Sequence, residues 1–295
     1  MTDAPCPPPR EPHRPIVAPP PHACDTHAHV FGPASRFPYA ADRSYTPPDA
    51  PLAKYLAMLD TLGFARGALV QGSAHGHDNA AMLDALERQP KRLRGVAVAS
   101  ADVPSAELRR WHAIGVRGLR FNHFFRDGQL HYRGGVPLDA ARALAPILKD
   151  LGWHLQLWID VKDLPNTIPV LKDIGVPVVI DHMGRTDAAA GIEAPGFQSL
   201  LRLAGEGGCW VKLSGAHRVS HLPPDYPDAR PLHEALVAAN PDQLVWGSDW
   251  PHPRIEDEMP NAGHLLDLFN EWTPDDAIRR RILVDNPARL YDFPK

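Results

Sequence analysis

Cysteine is scarce in this sequence, with Cys6, Cys24 and Cys209 the only three among 295 residues. An odd, widely spaced set excludes a disulfide framework, matches no zinc-binding spacing and suits a reducing cytoplasm. Beside apolar runs, Cys24 and Cys209 read as small packing residues. Charge of one sign is also lacking: 31 Lys and Arg face 35 Asp and Glu, leaving -4 at pH 7. Nothing in that balance calls for nucleic acid or a membrane surface as a partner. No apolar run reaches the length of about 18 residues that a membrane-crossing helix needs. No G-x-S-x-G nucleophile elbow occurs, and the first residues lack the apolar core of a signal peptide.

Proline, by contrast, is abundant, at 33 residues. Those near the start (Pro7, Pro8, Pro9, Pro19, Pro20, Pro21) make residues 1–22 an extended arm, more readily disordered than docked. From residue 23 to 295, short β-branched runs alternate with longer stretches of helical period. The strand candidates are Ala23 to Phe31, Gly67 to Gln71, Gly95 to Ala99, Gly118 to Asn122, His154 to Ile159, Val178 to Asp181, Trp210 to Ser214 and Leu244 to Ser248. Helical patterns fall between them at Leu52 to Leu62, Asn79 to Arg88, Ser105 to Ala113, Leu138 to Leu151, Leu164 to Ile174, Phe197 to Ala204 and Pro231 to Ala239. A last helix, Pro274 to Val284, precedes a stop at Asn286-Pro287. Eight strands each followed by a helix predict one α/β domain, a (β/α)8 TIM barrel.

In such a barrel the functional side chains gather at the C-terminal ends of the strands. Alternation along the first strand puts Asp25, His27 and His29 on one face and Thr26, Ala28 and Val30 on the other. Two imidazoles then point into the barrel mouth. His182 stands at the tip of the sixth strand and Asp249 at the tip of the eighth. A helix N-cap is the plain alternative for Asp249, but Pro251 argues against a helix starting at once. Brought together, these residues suit attack of water on an acyl carbon: Asp249 accepts the proton, and the imidazoles, or a metal they hold, stabilise the oxyanion.

The segments Asp25-Thr26-His27-Ala28-His29-Val30-Phe31-Gly32, Asp181-His182-Met183-Gly184-Arg185 and Gly247-Ser248-Asp249-Trp250-Pro251-His252-Pro253 resemble the amidohydrolase superfamily. More closely, they are similar to its branch containing 2-pyrone-4,6-dicarboxylate lactonase. The likeness runs from about Cys24 to Tyr291 and includes Phe64-Ala65-Arg66 and the Asn286-Pro287-Ala288-Arg289-Leu290-Tyr291 ending. The resemblance implies a lactonase in which Asp249 is the general base and His27, His29 and His182 contact or polarise the lactone carbonyl. It also implies that no cofactor is required. The fourth and fifth strands offer no lysine to be carbamylated as a metal bridge, although one Zn²⁺ on His27, His29, His182 and Asp249 stays chemically open.

Several arginines stand at strand ends: Arg120, Arg126, Arg185 and Arg218. Their planar forks match carboxylates and sulfonates, so the mouth selects a small anion, although Arg185 reads equally well as the partner of a neighbouring carboxylate. The resemblance assigns Arg120, Arg126 and Arg218 to substrate carboxylates and adds Tyr45 and Ser73 as further contacts. Trp158 and Arg254 depart from the pyrone-dicarboxylate pattern, replacing an expected tyrosine and a neutral residue. The expected substrate is therefore 2-pyrone-4,6-dicarboxylate or a close analogue. Alternatives are 4-sulfomuconolactone, a sugar-acid lactone that is hydrolysed or isomerised, metal-dependent decarboxylation within the same superfamily, or a non-catalytic ligand-binding barrel. Monomer and homodimer are both compatible with the sequence.

Overall fold

A computed structural model describes residues 6–126, 129–130, 135–255 and 258–294, without the side chains of Arg126 and Leu130. The expected substrate contact of Arg126 thus lies outside the described residues. Eight strands form one parallel sheet in sequence order: β1 (Cys24–Ala28), β2 (Arg66–Val70), β3 (Leu93–Ala97), β4 (Val116–His123), β5 (His154–Ile159), β6 (Val178–Ile180), β7 (Trp210–Lys212) and β8 (Leu244–Val245). The sheet curls until its edges meet. Thr26 N donates to Trp246 O at 3.0 Å, Asp249 N to His27 O at 2.7 Å and His29 N to Trp250 O at 2.8 Å. The result is the (β/α)8 barrel that the sequence predicts. A two-stranded hairpin, Phe125–Arg126 with Gln129–Leu130, follows β4.

Helices wrap the outside, apart from the short α7 at the barrel mouth: α1 (Leu52–Leu62), α2 (Ala80–Arg88), α3 (Ser105–Ala113), α4 (Ala140–Leu151), α5 (Leu164–Ile174), α6 (Pro195–Gly205), α7 (Ala216–Val219), α8 (Arg230–Ala239), α9 (Ala262–Trp272), α10 (Asp276–Arg280) and α11 (Asn286–Leu290). Each long helix exists because one stripe is apolar. In α4, Leu144, Ala145 and Leu148 are buried while Arg142 and Asp150 point outward. Fully burying each such leucine contributes about 1.5–3 kcal/mol. Helices α1, α3 and α5 take the bounds expected from their periodicity.

Three expectations need correction. Helix α9 was not anticipated; Asn261 starts it by accepting from the Gly263 and His264 amides, as an N-cap should. The last helical stretch does not stop at Asn286-Pro287. It passes through a π-helical turn, Arg281–Asp285, into α11; the wider turn, in which Asn286 N donates to Arg281 O, carries the chain past Pro287, which has no N–H to give. The described part of the arm is also docked. His13 Nε2 pairs with Asp267 Oδ2 at 2.9 Å, and the Ile16 amide donates to Asp267 Oδ1 at 2.6 Å. The Cys6 amide reaches Thr46 O at 2.7 Å. Among the described residues no helix is long and apolar enough to cross a membrane.

Candidate active site

The seam that closes the barrel also assembles the site. Because Asp249 N bonds to His27 O, the carboxylate of the last strand arrives beside the imidazoles of the first. Gly247 permits this approach: a Cβ there would lie 2.6 Å from both His27 N and His27 Cβ. Asp249 and His182 hold left-handed backbone, φ 61° and 49°, a conformation that costs about 1–3 kcal/mol and persists where surrounding contacts fix it. Here those contacts are hydrogen bonds. His182 Nδ1 lies 2.9 Å from Ser214 Oγ, and Asp249 is held on both sides, its N donating to His27 O at 2.7 Å and its O accepting from His252 N at 2.8 Å; in the same ring of imidazoles, His29 Nδ1 lies 2.8 Å from Val70 O.

Three imidazoles converge on one oxygen. Asp249 Oδ1 is 3.8 Å from His27 Nε2 and 3.7 Å from both His29 Nε2 and His182 Nε2. Its other oxygen, Oδ2, accepts from Arg218 Nε at 2.7 Å and faces His217 Nε2 at 3.0 Å. Burial alone would raise the Asp249 carboxyl, but Arg218, His182 and His217 together hold it well below the usual carboxylate range. Burial lowers His27 to about 3, helped by the Lys212 charge, and His217 to about 4 despite Asp249. Both rings are therefore neutral near pH 7.

These groups form the floor of a cavity of about 340 Å³, whose walls include Tyr45, Ser73, Arg120, Trp158, Arg185, Arg218 and Arg254. The expected site residues are thus gathered at one place, apart from Arg126; His27 lies just beneath the lining. Trp158 stacks on Phe124 with ring centres 4.6 Å apart, giving one flat wall. Arg120 and Arg218 are not idle forks aimed at solvent. Arg120 donates to Asp181 Oδ2 through Nε at 3.1 Å and pairs through Nη2 at 3.0 Å. Arg218 bonds Asp249 and, through Nη1, Pro253 O at 2.9 Å. Arg185 reaches back to Arg218 O at 2.7 Å.

A second polar layer lies below and was not anticipated. Asp181 Oδ2 also accepts from Gln156 Nε2 at 3.2 Å. Lys212 is fully buried, with Nζ 2.8 Å from Thr26 O and from Gln156 Oε1, 3.3 Å from His27 Nδ1 and 3.8 Å from Asp181 Oδ1. Burial lowers its ammonium to about 8, with Asp181 opposing. Period-two alternation carries the missed signal: Lys212 shares a face with Ser214, the partner of His182.

The donor positions fit a small divalent ion. His27 Nε2 is buried without a hydrogen-bond partner, and His27, His29 and Asp249 present ligand atoms within 4.8 Å of one another. Two histidines and a carboxylate form a zinc-type donor set, and His182 Nε2 lies 3.7 Å from the same Asp249 oxygen.

An eight-stranded barrel with a histidine-ringed carboxylate at its C-terminal mouth defines a hydrolase-type amidohydrolase architecture. The comparisons agree, with the amidohydrolase family profile matching residues 24–293. The chain belongs to that family. It is 41% identical to a 4-sulfomuconolactone hydrolase of Rhizobium radiobacter over 97% of this chain and 96% of the relative. It is 38% identical to a 2-pyrone-4,6-dicarboxylate hydrolase of Comamonas testosteroni, over 95% and 93%. A solved structure from Acinetobacter baumannii with citric acid bound superimposes with a TM-score of 0.79 at 32% identity, covering 92% of this chain and all of that one.

Proposed function

We propose that this protein is a lactone hydrolase that opens a small lactone bearing anionic groups, with 2-pyrone-4,6-dicarboxylate as the first candidate. One observation carries the reading: a carboxylate oxygen ringed by three imidazole Nε2 atoms at 3.7–3.8 Å, at the floor of an arginine-walled cavity. The names of the two relatives support lactone chemistry, and citrate in the Acinetobacter protein supports an anionic ligand.

In this reading a water molecule beside Asp249 Oδ1 attacks the lactone carbonyl carbon as the carboxylate accepts its proton. Charge builds on the carbonyl oxygen, where imidazole N–H groups from the ring around Asp249 stabilise it. Collapse breaks the ring C–O bond, and the proton passes from Asp249 to the leaving oxygen, giving an open-chain acid. Arg218 and His217 hold Oδ2 so that Oδ1 faces the reaction. Arg120, Arg185 and Arg254 receive the anionic substituents, with Tyr45 and Ser73 as polar contacts and Trp158 as the flat wall. A divalent ion held by His27, His29, His182 and Asp249 would supply Lewis-acid polarisation of the carbonyl; the steps above use only side chains and water.

A sulfonated muconolactone is the second reading. It is favoured by Trp158 and Arg254, an apolar wall and an extra cation beside the cavity. The test is loss of lactone absorbance with both substrates, using protein treated with chelator and assayed for metal, then again with added Zn²⁺. Turnover of either lactone supports the assignment, and the kcat/KM ratio chooses between them. No turnover of either, with or without zinc, would remove it.

A further inference from the structure

We infer that Lys212 is a positioning residue that fixes His27 in the tautomer carrying its proton on Nε2, making His27 an N–H donor toward Asp249 Oδ1 and weakening metal binding there.

The argument is one of donors and acceptors. A lysine ammonium has three N–H donors and no acceptor. Two go to Thr26 O and Gln156 Oε1, each at 2.8 Å. The orientation of the Gln156 amide is set independently, because its Nε2 donates to Asp181 Oδ2. The third N–H meets His27 Nδ1 at 3.3 Å. Asp181 Oδ1 lies at the same 3.3 Å from that nitrogen, but it makes no aligned hydrogen bond and instead faces the Lys212 ammonium at 3.8 Å. Nδ1 therefore accepts, and the proton of the neutral ring sits on Nε2.

The other two rings are held differently. A carbonyl oxygen can only accept, so His29 Nδ1 must donate to Val70 O, and its Nε2 presents a lone pair. His182 Nδ1 meets a hydroxyl, Ser214 Oγ, which tolerates either tautomer. The three nitrogens around Asp249 Oδ1 are thus unequal by construction: a donor from His27, an acceptor from His29 and an adaptable one from His182. A metal ion needs lone pairs on its ligands, so it can take His27 only after the proton moves to Nδ1, toward Asp181. Lys212 opposes that move.

Two measurements test this. In the wild-type protein with ¹⁵N-labelled histidine, the His27 spin system, identified by its loss in His27→Asn, is expected to show a protonated Nε2 and an unprotonated Nδ1. A protonated Nδ1 overturns the inference, and this readout requires no turnover, so it stands apart from the lactone assignment. In Lys212→Met, zinc affinity measured by chelator competition is expected to tighten by about tenfold or more, the scale on which outer partners of metal-binding histidines act. Arg120→Met removes a cation from Asp181 without touching His27 and is expected to tighten zinc binding less. Equal tightening in the two variants, or none in Lys212→Met, overturns the inference. Should Lys212→Met fail to fold, the wild-type spectrum alone decides.

Discussion

Arg218 donates its Nε–H to Asp249 Oδ2 at 2.7 Å, which turns the opposite oxygen of that carboxylate toward the imidazoles. The pairing has two effects that pull against each other. It keeps Asp249 ionised and oriented, and it makes the carboxylate a weak base at rest. Proton transfer then has to coincide with bond formation to the carbonyl carbon, when the water has become more acidic.

Asp249→Asn keeps the shape and removes the proton acceptor. With either candidate lactone, kcat is expected to fall by about 10²–10⁴-fold, the usual contribution of general base catalysis. Initial rates at saturating substrate check this; turnover at the wild-type rate would sink the assignment.

Arg254 tests binding apart from chemistry. Charge-assisted hydrogen bonds contribute about 1.5–3 kcal/mol. Arg254→Met is therefore expected to raise KM roughly ten- to hundredfold while leaving kcat within about threefold. An unchanged KM for both lactones would exclude it from substrate recognition.

Acid should unfold this protein readily. Burial lowers His27, His154 and His233 to about 3 and His217 to about 4. Above their unfolded value of 6.5 these rings are neutral in both states. As pH falls below 6.5 the unfolded chain takes up protons that the folded chain refuses, so stability drops until about pH 3–4. Each ring adds a slope of about 1.4 kcal/mol per pH unit within that window. His233 lies outside the cavity, bonded to Thr273 Oγ1 at 2.7 Å, so His233→Gln isolates one increment. Urea midpoints from pH 4.5 to 7.5 should show a shallower slope in that variant.

The arm joins the loop after β1 to the N-terminal half of α9. It touches Thr46, next to Tyr45, and grips Asn261 and Asp267 beyond Arg254. Deleting residues 1–16 is expected to lower the thermal midpoint by about 2–4 °C for each kcal/mol lost and to raise KM with little change in kcat. Scanning calorimetry and steady-state kinetics on the truncated chain check both.

Much of this site was legible because strand period two is rigid: His27 and His29 had to share a face, and strand tips had to meet at the barrel mouth. His182 and Asp249 followed from the same rule. The lower layer was harder to see. A lysine in the middle of the Trp210 to Ser214 run carries no local sign of its role, and its partners Thr26, Gln156 and Asp181 come from three other segments, so only closure of the barrel reveals the contact. Helix α9 escaped notice because it follows a proline-rich stretch, and its cap, Asn261, looks like one more loop residue. Arm docking depends on Asp267, more than 250 residues away, which local composition cannot report.

The seam between β1 and β8 also sets an order of events during synthesis. His27 emerges early, but Asp249, which meets it across that seam, is made some 220 residues later. A nascent chain already holding most of its barrel still has no complete reaction centre. Catalytic competence therefore arrives together with the final strand pairing, which makes turnover a direct assay for whether the circle of strands has closed.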